Sequence, residues 1–258
     1  MNCNICGAIT EIFASGKILG KYDARYFRCS RCAFIQTEEP YWHKESYSEA
    51  ITQNDVGMVS RNIALAKITK AIIPVFFARR GRFLDYGGGY GLFVRMMRDC
   101  GYDFYWFDRF CRNIFARGFE GEAGSQYELL TAFEVFEHLA DPAAELEEML
   151  KLSKNILFAT ELVPDSGPKP GEWWYYGLEH GQHISFYKKK SLQALADRFR
   201  LKLYSDNKAI HLLTEKRVSE PLFRIITRHF VVRKLLDVIF KNNSLTGEDY
   251  LKSIAPIK

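Results

Sequence analysis

No apolar run in these 258 residues reaches the roughly 18 to 20 residues that carry a helix across a bilayer. An integral helical membrane protein is therefore not expected. The opening residues, Met1-Asn-Cys-Asn-Ile-Cys6, lack both a basic cluster and an apolar core. No secretory leader is expected, and a cytoplasmic setting with reduced thiols is. Repeats and low-complexity tracts are lacking as well. Most of the chain also lacks any excess of charge. The net +5 is carried by residues 216–258, where nine Lys/Arg meet four Asp/Glu, and the remainder balances. That distribution argues against a uniformly basic nucleic-acid-binding surface. What is present is 47% apolar and 15% aromatic residues, enough to bury a core. The length suits one medium α/β domain with a small addition.

Four of the six cysteines fall in two pairs, Cys3-x-x-Cys6 and Cys29-x-x-Cys32, while Cys100 and Cys111 follow no pattern. Two residues between ligands let both thiolates turn onto one ion, and two such pairs complete a tetrahedron. Residues 9–14 and 22–27 read as the strands of a hairpin, with Gly16 and Gly20 in the connection. A site closed by four thiolates has no open position, so residues 1–40 are expected to form a zinc ribbon that is structural, a scaffold or part of a substrate lid. Four reduced thiols without a metal are the alternative.

From residue 41 the pattern changes to strand–helix alternation. Strands are expected at 82–86, 103–108, 127–133 and 155–160. Helices are expected over 60–78, with Pro74 kinking or ending it, from 91 to 99, from Asp141-Pro142 onward, and over 191–198. Residues 201–204 and 209–214 read as a terminal antiparallel pair. The expected fold is α/β, a Rossmann-like doubly wound and mainly parallel sheet with ligands at the strand C-termini.

The first strand runs into Asp85-Tyr-Gly87-Gly-Gly89-Tyr-Gly91. Glycines at alternate positions allow a tight turn and close approach to a ligand. A dinucleotide is disfavoured: Leu92 occupies the third position of G-x-G-x-x-G, and Asp85 would face a pyrophosphate. A cationic nucleoside without phosphate, such as S-adenosylmethionine, suits a carboxylate there. Asp108 follows Gly89 by 19 residues, where a carboxylate accepts hydrogen bonds from ribose hydroxyls.

With Thr131-Ala-Phe-Glu-Val-Phe-Glu-His-Leu-Ala-Asp-Pro142, these segments resemble the class I S-adenosylmethionine-dependent methyltransferases over about residues 45 to 215. The E-V-x-E-H-x-x-D-P segment is similar to the branch that includes the ubiquinone-pathway enzymes. The resemblance implies that Asp85, Gly87, Gly89 and Gly91 line the cofactor, that Asp108 binds its ribose, and that Phe133 and Glu134 lie beside it. Only 18 residues separate Asp108 from Tyr127, so the segment that supplies the third strand and the adenine contacts in this family is shortened. Glu134, Glu137 and His138 match a triplet associated with a divalent metal in the ubiquinone-pathway relatives. The favoured alternative is that they cap and orient the helix starting near Asp141.

The segment 172–187 combines two histidines, carboxylates and aromatics between the fifth strand and the next helix. Histidine is the natural proton acceptor near neutral pH, so His183 and His180 are the candidate catalytic residues. His183-Ile-Ser-Phe-Tyr187 resembles the H-x-S-x-x segment of zinc-containing sugar C-methyltransferases, which implies His183 as the general base. Gln182 stands where that family has Glu. A structural, hydrogen-bonding histidine is the alternative. Trp173, Trp174, Tyr175 and Tyr176 either form a stacking wall for an acceptor or cover a sheet edge. The loop 164–171 reads as a lid. Arg61 is a candidate partner for the cofactor carboxylate.

Residues 217–258 are expected to form a helical basic tail that packs on the domain, with a membrane surface or a second copy as alternatives. With 41–216 as the methyltransferase domain, the expected function is methyl transfer from S-adenosylmethionine to a small-molecule or carbohydrate-linked acceptor, with structural zinc. A zinc-ribbon nucleic-acid methyltransferase or RNA-binding module, and a non-catalytic cofactor-fold interaction protein, are the alternatives.

Overall fold

Strands with no exposed face organise the chain. The structure, a computed structural model, describes residues 1–48, 55–122 and 124–254; the last four residues of the tail lie outside them. The N-terminal part holds β1 (Thr10–Ile18), β2 (Tyr22–Cys29), β3 (Ile35–Thr37) and the short α1 (His43–Ser46). Then come α2 (Met58–Phe76), β4 (Arg82–Tyr86), α3 (Leu92–Asp99), β5 (Asp103–Phe107), β6 (Leu129–Phe133), α4 (Pro142–Leu152) and β7 (Asn155–Ala159). After a long connection follow β8 (Ser185–Phe186), α5 (Lys189–Arg198), β9 (Lys202–Ser205) and β10 (Ile210–Thr214). The tail is α6 (Glu220–Arg228), α7 (Phe230–Ile239) and α8 (Thr246–Ile254).

The central sheet has six strands in the order β5-β4-β6-β7-β10-β9. The first four run parallel, and β10 and β9 add the antiparallel pair. Every residue of β7 and β10 is buried, as two-sided coverage demands of near-continuous apolar runs. One face packs α2, α3 and α6 through Ile72, Met97 and Ile226. The other packs α4 and α5 through Leu146, Met149 and Leu192. Asp141 caps α4 by accepting from the Ala143 and Ala144 amides at 3.1 and 3.0 Å, with Pro142 in the first turn. That role falls to Asp141, not to Glu134, Glu137 or His138.

The short passage after Asp108 leaves β5 at the edge of the sheet. A single parallel bridge, Trp106 to Glu120, stands beside it. Pro74 lies in the last turn of α2 without breaking it before Phe76.

The second sheet is antiparallel, in the order β1-β2-β3-β8. Gly16, expected in the hairpin connection, lies inside β1, because the strand runs on to Ile18 and the turn falls at Gly20. β8 comes from 150 residues later and pairs Phe186 with Ile35 and Ser185 with Gln36. The N-terminal sheet is thereby completed by the segment that carries His183.

The tail is broken at His229, whose extended backbone ends α6 and precedes α7. α6 anchors it through Phe223 and Ile226, both fully buried. α8 is held by Asp249, which pairs with Arg98 at 2.7 Å and Arg95 at 2.8 Å. Arg98 is 1% exposed and also reaches Asp103 and the Phe104 carbonyl, so the buried charge is balanced on every side.

Candidate functional site

The glycine turn joins β4 to α3 at the C-terminal edge of the parallel strands. Gly87 has φ +69, and a Cβ there would meet Val135 at 2.6 Å, so no other residue fits. The Gly87 and Gly88 amides donate to the Phe107 carbonyl at 2.8 and 3.1 Å, tying the turn to the end of β5. Asp108 locks the same junction. One carboxylate oxygen accepts from the Gly89 amide at 2.9 Å, the other from the Phe110 and Cys111 amides at 2.7 Å each. Each carboxylate oxygen accepts two bonds readily, so the oxygen facing Gly89 keeps a lone pair for a further donor.

Asp85 lies under the turn and is 3% exposed. The Thr131 hydroxyl donates to it at 2.7 Å. Burial pushes its carboxyl up to about 7, tempered by that hydrogen bond and reinforced by the Asp108 charge. Asp85 therefore sits at the balance point between neutral and charged, where a nearby cation decides the outcome.

β6 delivers Phe133 and Glu134. Phe133 packs edge-on to Phe93 at 5.0 Å. Glu134 has φ +54, a costly conformation for a non-glycine residue. Its carboxylate stands 3.5 Å from Arg61, which also binds Asp55 at 2.7 Å. Arg61 is thus already committed to two carboxylates.

A tight turn at Phe136–His138 follows and meets the segment carrying His183. The Ile184 amide donates to the Glu137 carbonyl at 2.8 Å, and the Thr37 amide of β3 donates to the Ile184 carbonyl at 3.0 Å. Four histidine and carboxylate side chains converge there. The His183 ring lies 4.9 Å from His138 and 4.8 Å from His180. His183 Nδ1 is 2.6 Å from the Tyr175 carbonyl. A carbonyl only accepts, so Nδ1 carries the proton and Nε2 holds a bare lone pair. His138 Nδ1 faces the Gln182 carbonyl at 3.1 Å and the Tyr47 hydroxyl at 3.0 Å. His180 Nδ1 accepts from the Gln182 amide at 3.1 Å.

Glu137 is fully buried, and neither carboxylate oxygen has a hydrogen-bond partner. Burial and the neighbouring Glu134 charge push its carboxyl well above the usual range. The Tyr175 and Thr160 hydroxyls temper that shift, but they bond to one another at 3.1 Å. Burial lowers His138 to about 4 and His183 well below its ordinary value. Both imidazoles are neutral at pH 7. One ligand atom each from Glu137, His138 and His183 lie within 4.8 Å of one another.

His138, His180 and His183 share one cavity of about 1110 Å³ with the glycine turn. Asp85, Gly87, Gly89, Asp108, Phe133 and Glu134 line one part of it; Glu137's neighbours His138, His180 and His183, with Trp174 and Tyr175, line another. The volume exceeds the roughly 300 to 1,000 Å³ of a single small-ligand site, leaving room for two molecules side by side. Of the aromatic run, Trp174 is 73% exposed beside the cavity, while Tyr175 and Tyr176 are buried. Tyr176 packs on Tyr26 and Phe186, so the run serves both as wall and as core.

The four paired cysteines also converge. The sulfurs of Cys3 and Cys32 lie 3.6 Å apart, those of Cys6 and Cys29 3.5 Å, and all four fall within 4.8 Å of one another. A tetrahedron with metal–sulfur bonds of about 2.3 Å has sulfur–sulfur edges near 3.8 Å. The donor set and spacing fit a four-thiolate ion such as zinc.

Gly87, Gly89 and Asp108 line the cavity and the four paired cysteines converge, whereas Gly91, expected to line the cofactor, does not line it: its φ is +85 and a Cβ there would meet Asn113 at 2.7 Å. The Tyr175 carbonyl was not legible as the partner of His183, nor the Tyr47 hydroxyl as that of His138, nor Glu137 as their neighbour. Each sits in its own segment, and the pairing of β8 with β3, the Ile184–Glu137 backbone bond and the bonds of Trp42 to Gly181 and of the Gln182 side chain to Ser46 draw them together.

A family model described as a methyltransferase domain matches residues 61–205. Among solved structures, TnmH is similar at 17% identity over 69% of this chain and 62% of its own, with a TM-score of 0.49. CalO1, a methyltransferase of calicheamicin biosynthesis in an SAH-bound form, is 17% identical over 68% of this chain and 60% of its own, with a TM-score of 0.45. The YcgJ protein of Bacillus subtilis is 15% identical over 53% and 68%, with a TM-score of 0.39. The chain spans about three fifths of the length of the first two, and likenesses this distant carry no argument. No curated protein matches the sequence.

Proposed function

The chain belongs to the methyltransferase-domain family; from that premise we propose that it is an S-adenosylmethionine-dependent enzyme that methylates a small-molecule or carbohydrate-linked acceptor, with His183 as the general base. The observation that carries this reading is the single cavity shared by the glycine turn with Asp108 and the histidine cluster.

When bound, S-adenosylmethionine supplies an electrophilic methyl group on a sulfonium. The oxygen of Asp108 that faces Gly89 would accept from a ribose hydroxyl. Asp85, poised near neutrality, takes its charged form opposite a cationic ligand. Phe133 and Glu134, which line the cavity, would flank the nucleoside, as the family resemblance implies. The Tyr175 carbonyl holds His183 in the tautomer with Nε2 bare, so the ring accepts a proton from an acceptor hydroxyl as the new bond forms. His180 stands within ring contact and orients the same group. Trp174, 73% exposed beside the cavity, offers a flat surface to the acceptor, and the two carboxylates committed to Arg61 keep that end of the cavity polar.

The cysteine cluster is read as a structural zinc ribbon. Cys3, Cys6, Cys29 and Cys32 would hold the ion with no position left open, and its task is to fix the sheet that β8 joins.

A second reading of the base is favoured by one observation. The unpartnered Glu137 carboxylate and the free Nε2 atoms of His138 and His183 have the donor set of a divalent cation site. Metal content of a Cys29→Ser protein, which removes the ribbon contribution, separates the two readings.

The test is methyl transfer from labelled S-adenosylmethionine to panels of nucleotide sugars, glycans and hydroxylated small molecules, read by mass. His183→Ala is expected to lose about 10² to 10⁴-fold in turnover while binding S-adenosylhomocysteine as the parent does. A His183→Ala protein as active as the parent removes the assigned base.

A further inference from the structure

Among the described helices α7 alone buries none of its side chains. Val232 and Leu236 rest half-buried against the core that holds α2, and Asp237 pairs with Lys70 at 2.6 Å. The rest of its apolar residues face outward. Phe230, Val231, Leu235, Val238 and Ile239 are between 59% and 78% exposed. At 100° per residue, Val231, Leu235, Val238 and Ile239 fall on one stripe of the helix. No described side chain buries that stripe, and a soluble chain gains nothing by showing it to water.

The charge around the stripe selects its occupant. Lys234 lies over the Phe230 ring at 5.4 Å, and Arg228 and Lys241 are exposed on either side of the helix. Three of the four acids in residues 216–258 are engaged: Asp237 with Lys70, Asp249 with Arg95 and Arg98, Glu220 with Arg224. The outward charge of the tail is therefore positive, and it holds the whole net charge of the chain. A second copy docking on the same face would bring that surplus against itself. An anionic bilayer would meet both features at once, taking the apolar stripe into the headgroup boundary and the cations at its phosphates.

We propose that α7 docks this protein on an anionic lipid surface, through the stripe Val231, Leu235, Val238 and Ile239 with Lys234, Arg228 and Lys241 around it. The chain is thereby held at a membrane without crossing it; no described helix is long and apolar enough to cross. The proposal stands apart from the cofactor reading, because lipid binding is measured without cofactor.

The experiment is vesicle flotation of the full chain, with phosphatidylcholine alone and with phosphatidylcholine containing phosphatidylglycerol. Binding to the anionic vesicles, weaker in high salt and absent on the neutral ones, is the expected result. Leu235→Asp with Val238→Asp should abolish it, and Lys234→Glu with Lys241→Glu should weaken it by about tenfold or more. All four positions are exposed, so thermal melts of both variants should match the parent. Failure to float with either vesicle overturns the proposal. So does equal binding to both, or sedimentation showing a dimer that Leu235→Asp splits, which would give the stripe to a second copy.

Discussion

At the scale of single residues, buried titratable groups pull stability in opposite directions. Asp85 has a folded pKa raised to about 7 from an ordinary 3.8. Its contribution is fully present below pH ~4 and is lost as pH rises through ~7. His211, fully buried between Ser205 and the Thr160 carbonyl, is lowered to about 4. Its contribution is present above pH ~6.5 and is lost as pH falls through ~4. The two nearly cancel between those limits, so the parent's own pH profile hides both. Asp85→Asn exposes the first. The variant should melt with the parent at pH 4 and above it at pH 8, by on the order of 2–4 kcal/mol. Equal melting at both values would mean that the carboxylate is solvated or already paired. The same variant should lose affinity for the cationic S-adenosylmethionine more than for the neutral-sulfur product.

At the scale of elements, the N-terminal sheet supports the segment that carries His183. β8 is only two residues long, yet it links β3 to the segment that carries His183. The Trp42 indole donates to the Gly181 carbonyl at 2.8 Å, and the Gln182 amide donates to the Ser46 carbonyl at 2.8 Å. A Cβ on Gly181, which has φ +66, would come within 2.3 Å of Ile18. Loss of the cysteine cluster should therefore be felt at the histidines before it is felt at the glycine turn. Purified protein is expected to contain one zinc per chain from this site. Cys29→Ser should release it and lower turnover at least tenfold, while S-adenosylhomocysteine affinity changes little. Full turnover with the ribbon metal-free would detach the two parts.

Local spacing explains what could be read at this scale. The paired cysteines and the turn from Asp85 to Gly91 each need only a handful of adjacent residues. The lost third strand was legible too, as a gap too short to hold it. Its replacement was not, because the Trp106–Glu120 bridge and the seating of Asp249 on Arg98 depend on segments far apart in sequence. The tail read as one helix because its apolar and basic residues alternate without proline or glycine near His229. Tertiary packing of α6 by Phe223 and Ile226 sets the break instead.

At the scale of the whole molecule, the parallel sheet brings two chemistries to one cavity. The turn after β4 and the end of β5 meet at Asp108, and the turn after β6 meets the segment before β8 at His183. The body is balanced in charge, and the positive surplus is confined to residues 216–258, which hold α6 to α8. Acid groups and glycines at the first site were visible from residue types alone. The second site was visible only in part: His183 and His180 stood out, and Glu137 and His138 stood out with Glu134 as a metal triplet or a helix cap, but the meeting of Glu137 and His138 with His183 was not legible.

Calorimetric titration of S-adenosylhomocysteine into the parent and into Asp108→Ala tests the central claim, that the turn at residues 85–91 and the carboxylate at 108 form the cofactor seat. One molecule bound per chain, with affinity reduced at least tenfold in the variant, is the predicted result. No binding to the parent at millimolar ligand, or equal affinity in both proteins, would contradict it.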